Sequence, residues 1–221
     1  MSNMKNDAHF PIKKLVLLAM LAAVAYLIVS LIRIPVVLFL SYEPKDVIIT
    51  IGGFLLGPVA SFVISLVVSL LEMVTISQTG PIGGLMNLIS TCSFACTAAF
   101  VYKKRHTLSG AVLGLVLGSA AMAVVMVLWN WLITPLYMGV SREAVEGMLL
   151  TVFLPFNLLK AGFNSAFVLC LYKPLVSALR KTGLISTGAG KSGSAKIGIY
   201  LLGGGLLISC VLLLLVFQGK I

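Results

Sequence analysis

The stretch Leu154-Pro155-Phe156-Asn157-Leu158-Leu159-Lys160-Ala161-Gly162-Phe163-Asn164 sets one lysine and two asparagines inside an apolar run long enough to cross a membrane. At about 100° per residue, Asn157, Lys160 and Asn164 share one narrow helical face, at i, i+3 and i+7. A charge at membrane depth costs roughly 2.5–3.5 kcal/mol on insertion scales, so Lys160 must face a partner, a cavity or a ligand. Pro155 adds polarity nearby, because it lacks an N–H and frees a carbonyl one turn upstream. Asn130, between Trp129 and Trp131, and Asn87, after Met86, are further amides in apolar runs. Amides offer donors and acceptors together, and the Trp and Phe rings add flat apolar walls. Such a set suits a neutral, planar, heteroaromatic ligand, whereas a strong anion would require more than one cation. The competing structural readings are asparagines acting as interhelical glue and Lys160 paired with an outer-loop carboxylate, Glu43 or Asp46.

No catalytic constellation is visible. His9 and His106 lie in segments far from each other, and no serine has a plausible base beside it. The phosphate-binding G-x-x-x-x-G-K-[ST] loop and the zinc-protease H-E-x-x-H are both missing, so the chain does not burn ATP itself. Glu72 is the one acidic residue within an apolar run. Near the outer end of its helix it reads as an interfacial carboxylate, and a proton relay wants several such groups in series. Cys92, Cys96, Cys170 and Cys210 all lie in apolar runs and read as small helix residues, not as disulfides or metal ligands. The expectation is a protein that is not an enzyme and holds no metal and no cofactor.

These residues need a membrane bundle to position them. Hydrophobic residues make up 60% and charged residues 10% of the chain, with a mean hydropathy of +1.13, where a soluble domain carries about 25% charge. The chain reads as an all-α polytopic membrane protein in the cell membrane. At about 20 residues per span, six or seven spans fill it and leave no room for a soluble catalytic domain. The net charge of +10 comes from lysines and arginines placed between hydrophobic runs. That is the positive-inside pattern, not a nucleic-acid surface. The run from Leu15 to Ile32 is too long for a signal-peptide core and reads as the first transmembrane helix.

Apolar runs fall at 14–34, 46–57, 59–76, 83–102, 109–136, 148–172 and 197–217. Gly57-Pro58 splits the long stretch from Asp46 to Ser77 into two segments, and charge parity supports the split. With a cytoplasmic N-terminus, it places Lys103-Lys104-Arg105 and Lys173, Arg180 and Lys181 inside as well. The first segment, roughly 18 Å long at 1.5 Å per residue, is too short to cross alone. The outer loop before it, 40–46, must therefore dip into the protein, where irregular backbone lines a cavity. That loop carries Tyr42, Glu43, Pro44, Lys45 and Asp46. It reads either as a lid over a binding cavity or as a solvated turn whose Asp46 caps the next helix. Segments 77–82 and 137–147 read as the other outer loops. Residues 1–181 form the main transmembrane domain, 182–196 a Gly/Ser-rich flexible linker, and 197–221 an additional transmembrane segment. In the first helix, Ala19, Ala22, Ala23 and Ala25 form a small-residue surface with an A-x-x-x-A at Ala19/Ala23. Such a surface suits close helix packing in lipid, within the chain or with another membrane subunit.

Taken in order, the A-x-x-x-A helix, the Tyr42-Glu43-Pro44-Lys45-Asp46 loop, Gly52-Gly53-Phe54-Leu55-Leu56-Gly57-Pro58, Pro81-Ile82-Gly83-Gly84-Leu85-Met86-Asn87 and Phe156-Asn157-Leu158-Leu159-Lys160 resemble substrate-binding S components of energy-coupling factor (ECF) transporters. Within that group the pattern is most similar to the riboflavin-specific S component, over about residues 12 to 181. The resemblance implies a six-helix bundle, here followed by a seventh, C-terminal transmembrane helix. It implies an outward-facing vitamin site contacted by Asn130, Asn157, Lys160 and Asn164, with the 40–46 loop closing over it; Tyr42, Lys45 and Asp46 of that loop, and Asn87, are read as further substrate-binding residues. It further implies partners: riboflavin as transported ligand, a membrane coupling subunit (T component) docked on Ala19/Ala23, and two cytoplasmic ATPase subunits. Thiamine or biotin on the same scaffold, and a stand-alone secondary transporter, are the alternatives.

Overall fold

A computed structural model describes residues 12–76, 79–181 and 197–217. Helix α1 (Ile12–Leu31) leads into a hairpin of β1 (Ile34–Val37) and β2 (Leu40–Tyr42). Then follow α2 (Lys45–Leu56), α3 (Pro58–Thr75), α4 (Gly80–Lys104), α5 (Leu108–Met138), α6 (Arg142–Met148), a π-helical turn (Leu149–Phe153), α7 (Leu154–Lys181) and α8 (Ile197–Phe217). The elements α1, α3, α4 and α5, and the run from α6 through α7, are each long and apolar enough to cross a membrane. The helical membrane architecture read from the sequence stands, and the short β1–β2 hairpin is added to it.

Local chemistry sets the boundaries. Gly57 adopts φ +99° and ψ 171° between α2 and α3, a region open essentially to glycine alone. Pro58 then starts α3, where its missing N–H costs nothing. Thr107 caps α5 by accepting from Gly110 N at 3.1 Å, and Gly139 ends that helix in the left-handed region at φ +66°. Ser141 caps α6. The segment 137–147, read as an outer loop, is thus partly helical. The expected two-segment division of 46–77 is correct, and α2, with 12 residues, is too short to cross a membrane alone.

The hairpin pairs Ile34 with Tyr42, Pro35 with Ser41 and Val37 with Leu40. Its tip holds Leu38 at φ +50°. Asp46 does not cap α2, whose N-cap is Pro44. It lies inside the helix with its carboxylate turned across the bundle.

The core joins α1, α2, α4, α5 and α7 around Leu17, Ile49, Ile51, Phe94, Met122 and Ala161. Helices α4 and α5 approach closely because Gly114 and Gly118 lie over the carbonyls of Ala98 and Phe94; an added Cβ would sit 2.7 and 2.6 Å from those oxygens. One end of the bundle is basic, with Lys13 and Lys14 opening α1 and Lys103 and Lys104 closing α4. There the Tyr102 and Tyr172 hydroxyls meet at 2.9 Å, and Phe54 of α2 stacks on Tyr102. The opposite end carries the hairpin. The 182–196 linker lies outside the described residues.

Candidate functional site

The apolar stripe of α7 carries Asn157 and Lys160 to the hairpin end, where they line a cavity with Asn87 of α4, Glu72 of α3, Arg33 and the hairpin residues Phe39 and Leu40. Phe156 and Met126 add apolar wall. The cavity has a volume of ≈ 60 Å³.

Around it six charges form one network. Lys45 is fully enclosed. Its ammonium lies 2.5 and 2.6 Å from the Glu72 carboxylate oxygens and 2.6 Å from Glu43. Arg33 pairs with Glu43 at 2.8 Å and more loosely with Glu72 at 3.8 Å. Asn87 donates to both glutamates, at 3.2 and 3.4 Å. On the α7 side, Asp46 accepts from Thr91 at 2.7 Å and from Asn164 at 3.3 Å, and pairs with Lys160 at 3.2 Å. Three cations (Arg33, Lys45, Lys160) face three carboxylates (Glu43, Asp46, Glu72), so the network is formally neutral. Neutrality is what burial demands, because unpaired charges in low dielectric cost several kcal/mol each.

Among the described residues, Tyr42 and Glu43 of the hairpin end are perturbed. Burial, then the Asp46 carboxylate, push the Tyr42 phenol above its usual range. Burial alone would raise Glu43, but Lys45, Lys160 and Arg33 together hold its carboxyl below the ordinary range.

Of the residues singled out in the sequence, Asn157, Lys160 and Asn87 reach the cavity wall. Asn157 also donates to the Phe153 carbonyl at 2.8 Å. Asp46 and Asn164 stand behind Lys160, and the buried Asn164 Oδ1 has no hydrogen-bond partner. Tyr42 is buried against the Phe163 ring, centroids 5.0 Å apart, with its hydroxyl unpartnered. Asn130 is not among the cavity's lining residues. Its amide is engaged within α5, donating to Met126 O at 2.7 Å and accepting from Thr134 at 2.8 Å. Lys45 is held by glutamates and is not a lining residue. Glu72 corrects the interfacial reading: it is 2% exposed and anchors the network. Arg33 was missed altogether. The available signal was the charge count, since Glu43, Asp46 and Glu72 in and beside the spans outnumber Lys45 and Lys160 and require a third cation.

Ala19 and Ala23 are both exposed on α1. No group of three or more His, Cys, Asp and Glu able to hold a metal occurs among the described residues.

Residues 13–172 match the family model for the ECF transporter, substrate-specific component. The chain is 27% identical over 178 residues to the riboflavin transporter RibU of Staphylococcus aureus (strain TCH60), covering 76% of this chain and 93% of that one. It is 30% identical over 161 residues to the riboflavin transporter FmnP of Bacillus subtilis (strain 168), covering 67% and 84%. The solved S component of a bacterial ECF transporter superposes with a TM-score of 0.66 at 27% identity, covering 76% of this chain and 98% of that one.

Proposed function

The chain belongs to the family of ECF transporter substrate-specific components, and on that premise we propose that it captures riboflavin at the cavity between α7, α4 and the β1–β2 hairpin. The observation that carries the reading is the donor pole formed by Asn157 and Lys160 in a network that is neutral as a whole. Riboflavin is uncharged, planar and rich in acceptors along one ring edge, so it can use such a pole without importing charge. The carboxylates of Glu43 and Glu72 and the Asn87 amide give acceptors for a hydroxylated chain. Three relatives carry the name riboflavin transporter, which agrees.

The hairpin end faces outside, because the lysines of α1 and α4 gather at the other end, and the N-terminus is cytoplasmic. Phe39 and Leu40 wall the cavity on its hairpin side, and their outward movement widens it for the tricyclic ring. Asp46 holds Lys160 at 3.2 Å before binding and keeps its ammonium oriented. Asn164, Tyr42, Lys45 and Asp46 support the site from behind, and Asn130 joins it by turning its amide away from α5. The protein performs no bond chemistry. Its transport energy comes from partners, a membrane coupling subunit that docks on Ala19 and Ala23 and two cytoplasmic ATPase subunits.

The test is a competition panel on the purified protein, with riboflavin fluorescence as readout. Riboflavin is quenched on binding, and neither thiamine nor biotin displaces it at a hundredfold excess. Displacement by biotin, whose carboxylate would seek Lys160, or failure to quench at all, refutes the assignment.

A further inference from the structure

The family match ends at residue 172, and α8 lies beyond it. This helix packs along α7 through small residues. A Cβ at Gly203 would lie 2.8 Å from the Cys170 sulfur, and one at Gly162 would lie 2.7 Å from the Cys210 sulfur. Such close backbone approach holds helices together in lipid, where apolarity alone provides no driving force.

The same helix reaches the hairpin. Val36, Leu40 and Tyr42 of the hairpin form one buried cluster with Leu159 and Phe163 of α7 and Cys210 of α8. Leu206 and Leu207 pack against this cluster, and α8 touches β1. The hairpin is also the cavity's cover, since Phe39, Leu40 and Ser41 line it. The Gly203–Cys170 and Gly162–Cys210 contacts of α8 with α7 involve no hairpin residue, so raising the hairpin would leave them in place. Its contacts with the hairpin exist only when the hairpin is down. A contact present in one of two states shifts the balance toward that state.

We infer that α8 is a positioning element for this site, a brace supplied by the chain itself that holds the hairpin down through Leu206, Leu207 and Cys210 and slows ligand exchange. The brace concerns the hairpin. Its effect on riboflavin rests on the function proposed above.

The experiment uses the full-length chain and reads hairpin opening without a ligand. Leu40 is 2% exposed, so in Leu40→Cys the new thiol reacts with a water-soluble maleimide only when the hairpin lifts. Its modification is followed site by site by peptide mass spectrometry, which separates it from the native cysteines. Adding Leu206→Ala and Leu207→Ala should raise the modification rate at least about fivefold, and riboflavin dissociation from the protein with native Leu40 should accelerate by a similar factor, with little change in association rate. Leu212→Ala, on a side chain 51% exposed, should change neither rate. If the double variant does not fold, Leu207→Ala alone should give a smaller rise in the same direction. Unchanged labelling in the folded double variant, or an equal rise in Leu212→Ala, overturns the inference. If the wild-type chain binds no riboflavin, the labelling rates still decide the role of α8 while the vitamin assignment falls.

Discussion

Lys45 has the carboxylates of Glu43 and Glu72 within 2.6 Å of its ammonium and no exposed surface. Removing such a partner leaves uncompensated buried charge, so Lys45→Ala should destabilise the protein by about 3–5 kcal/mol, read as a large drop in thermal midpoint in detergent. Lys160 is different, since it lines the cavity and touches Asp46 alone among the carboxylates. Lys160→Ala strips the buried Asp46 of its ammonium but leaves it Thr91 and Asn164 as hydrogen-bond partners, so it should fold with a lowered thermal midpoint and weaken riboflavin binding by about 10- to 100-fold, the ~1.5–3 kcal/mol of a hydrogen bond to a charged group, measured by fluorescence titration. Glu43 gives a pH signature. Its carboxyl is held below the ordinary range, so the stability from its ion pairs is complete above the ordinary glutamate pKa and disappears as pH falls through the lowered value. The excess thermal stability of wild type over Glu43→Gln should therefore be flat from pH 7 to about 5 and vanish only below about pH 4. The one-face spacing of Asn157, Lys160 and Asn164 was legible because helical period is a local property. The engagement of Asn130 by Met126 and Thr134 and the partnership of Lys45 with Glu72 were not. The first depends on a side-chain rotamer, and the second joins residues 27 positions apart.

Among the elements, the α2–α3 break is the clearest case of sequence dictating geometry. Gly57 takes a backbone conformation closed to residues with a Cβ, so Gly57→Ala should cost about 1–3 kcal/mol. Space is not the cause, since a Cβ there would meet nothing closer than Lys103 Cδ at 4.0 Å. Thermal unfolding of Gly57→Ala against Gly57→Asn separates the two causes. A steric origin would make asparagine much the worse, whereas a conformational one makes both costly. Charge parity revealed this break because each added span reverses the side on which lysines land. The hairpin was hidden for the opposite reason. Its strands are four and three residues long, pair with each other alone, and turn through Leu38 instead of a glycine or asparagine. Neither alternation nor a turn motif marks it. The π-helical turn before α7 likewise has no sequence signature apart from the nearby Pro155.

At the scale of the whole molecule, a basic end and a charge-neutral binding end are separated by an apolar bundle, and Ala19 and Ala23 stand exposed on α1 while α8 packs on α7. The face proposed above for docking of the coupling subunit is thus left open by the extra helix. Bulky substitution there, Ala19→Leu with Ala23→Leu, should abolish riboflavin uptake in cells that supply the coupling module and leave binding by the purified protein within about twofold. A matching loss of binding would place those alanines in the bundle's own packing. The basic end was readable from the lysine positions, whereas the packing of α8 on α7 was not, because Gly203 and Cys170 sit on separate helices far apart in the sequence. The central claim, that riboflavin occupies the cavity bounded by α7, α4 and the hairpin, is tested most directly by titrating riboflavin fluorescence with detergent-purified wild type and with Asn157→Ala/Lys160→Ala. Saturable quenching by wild type, lost in a double variant that remains helical and unfolds cooperatively, is the predicted result. Equal quenching by both proteins would contradict it.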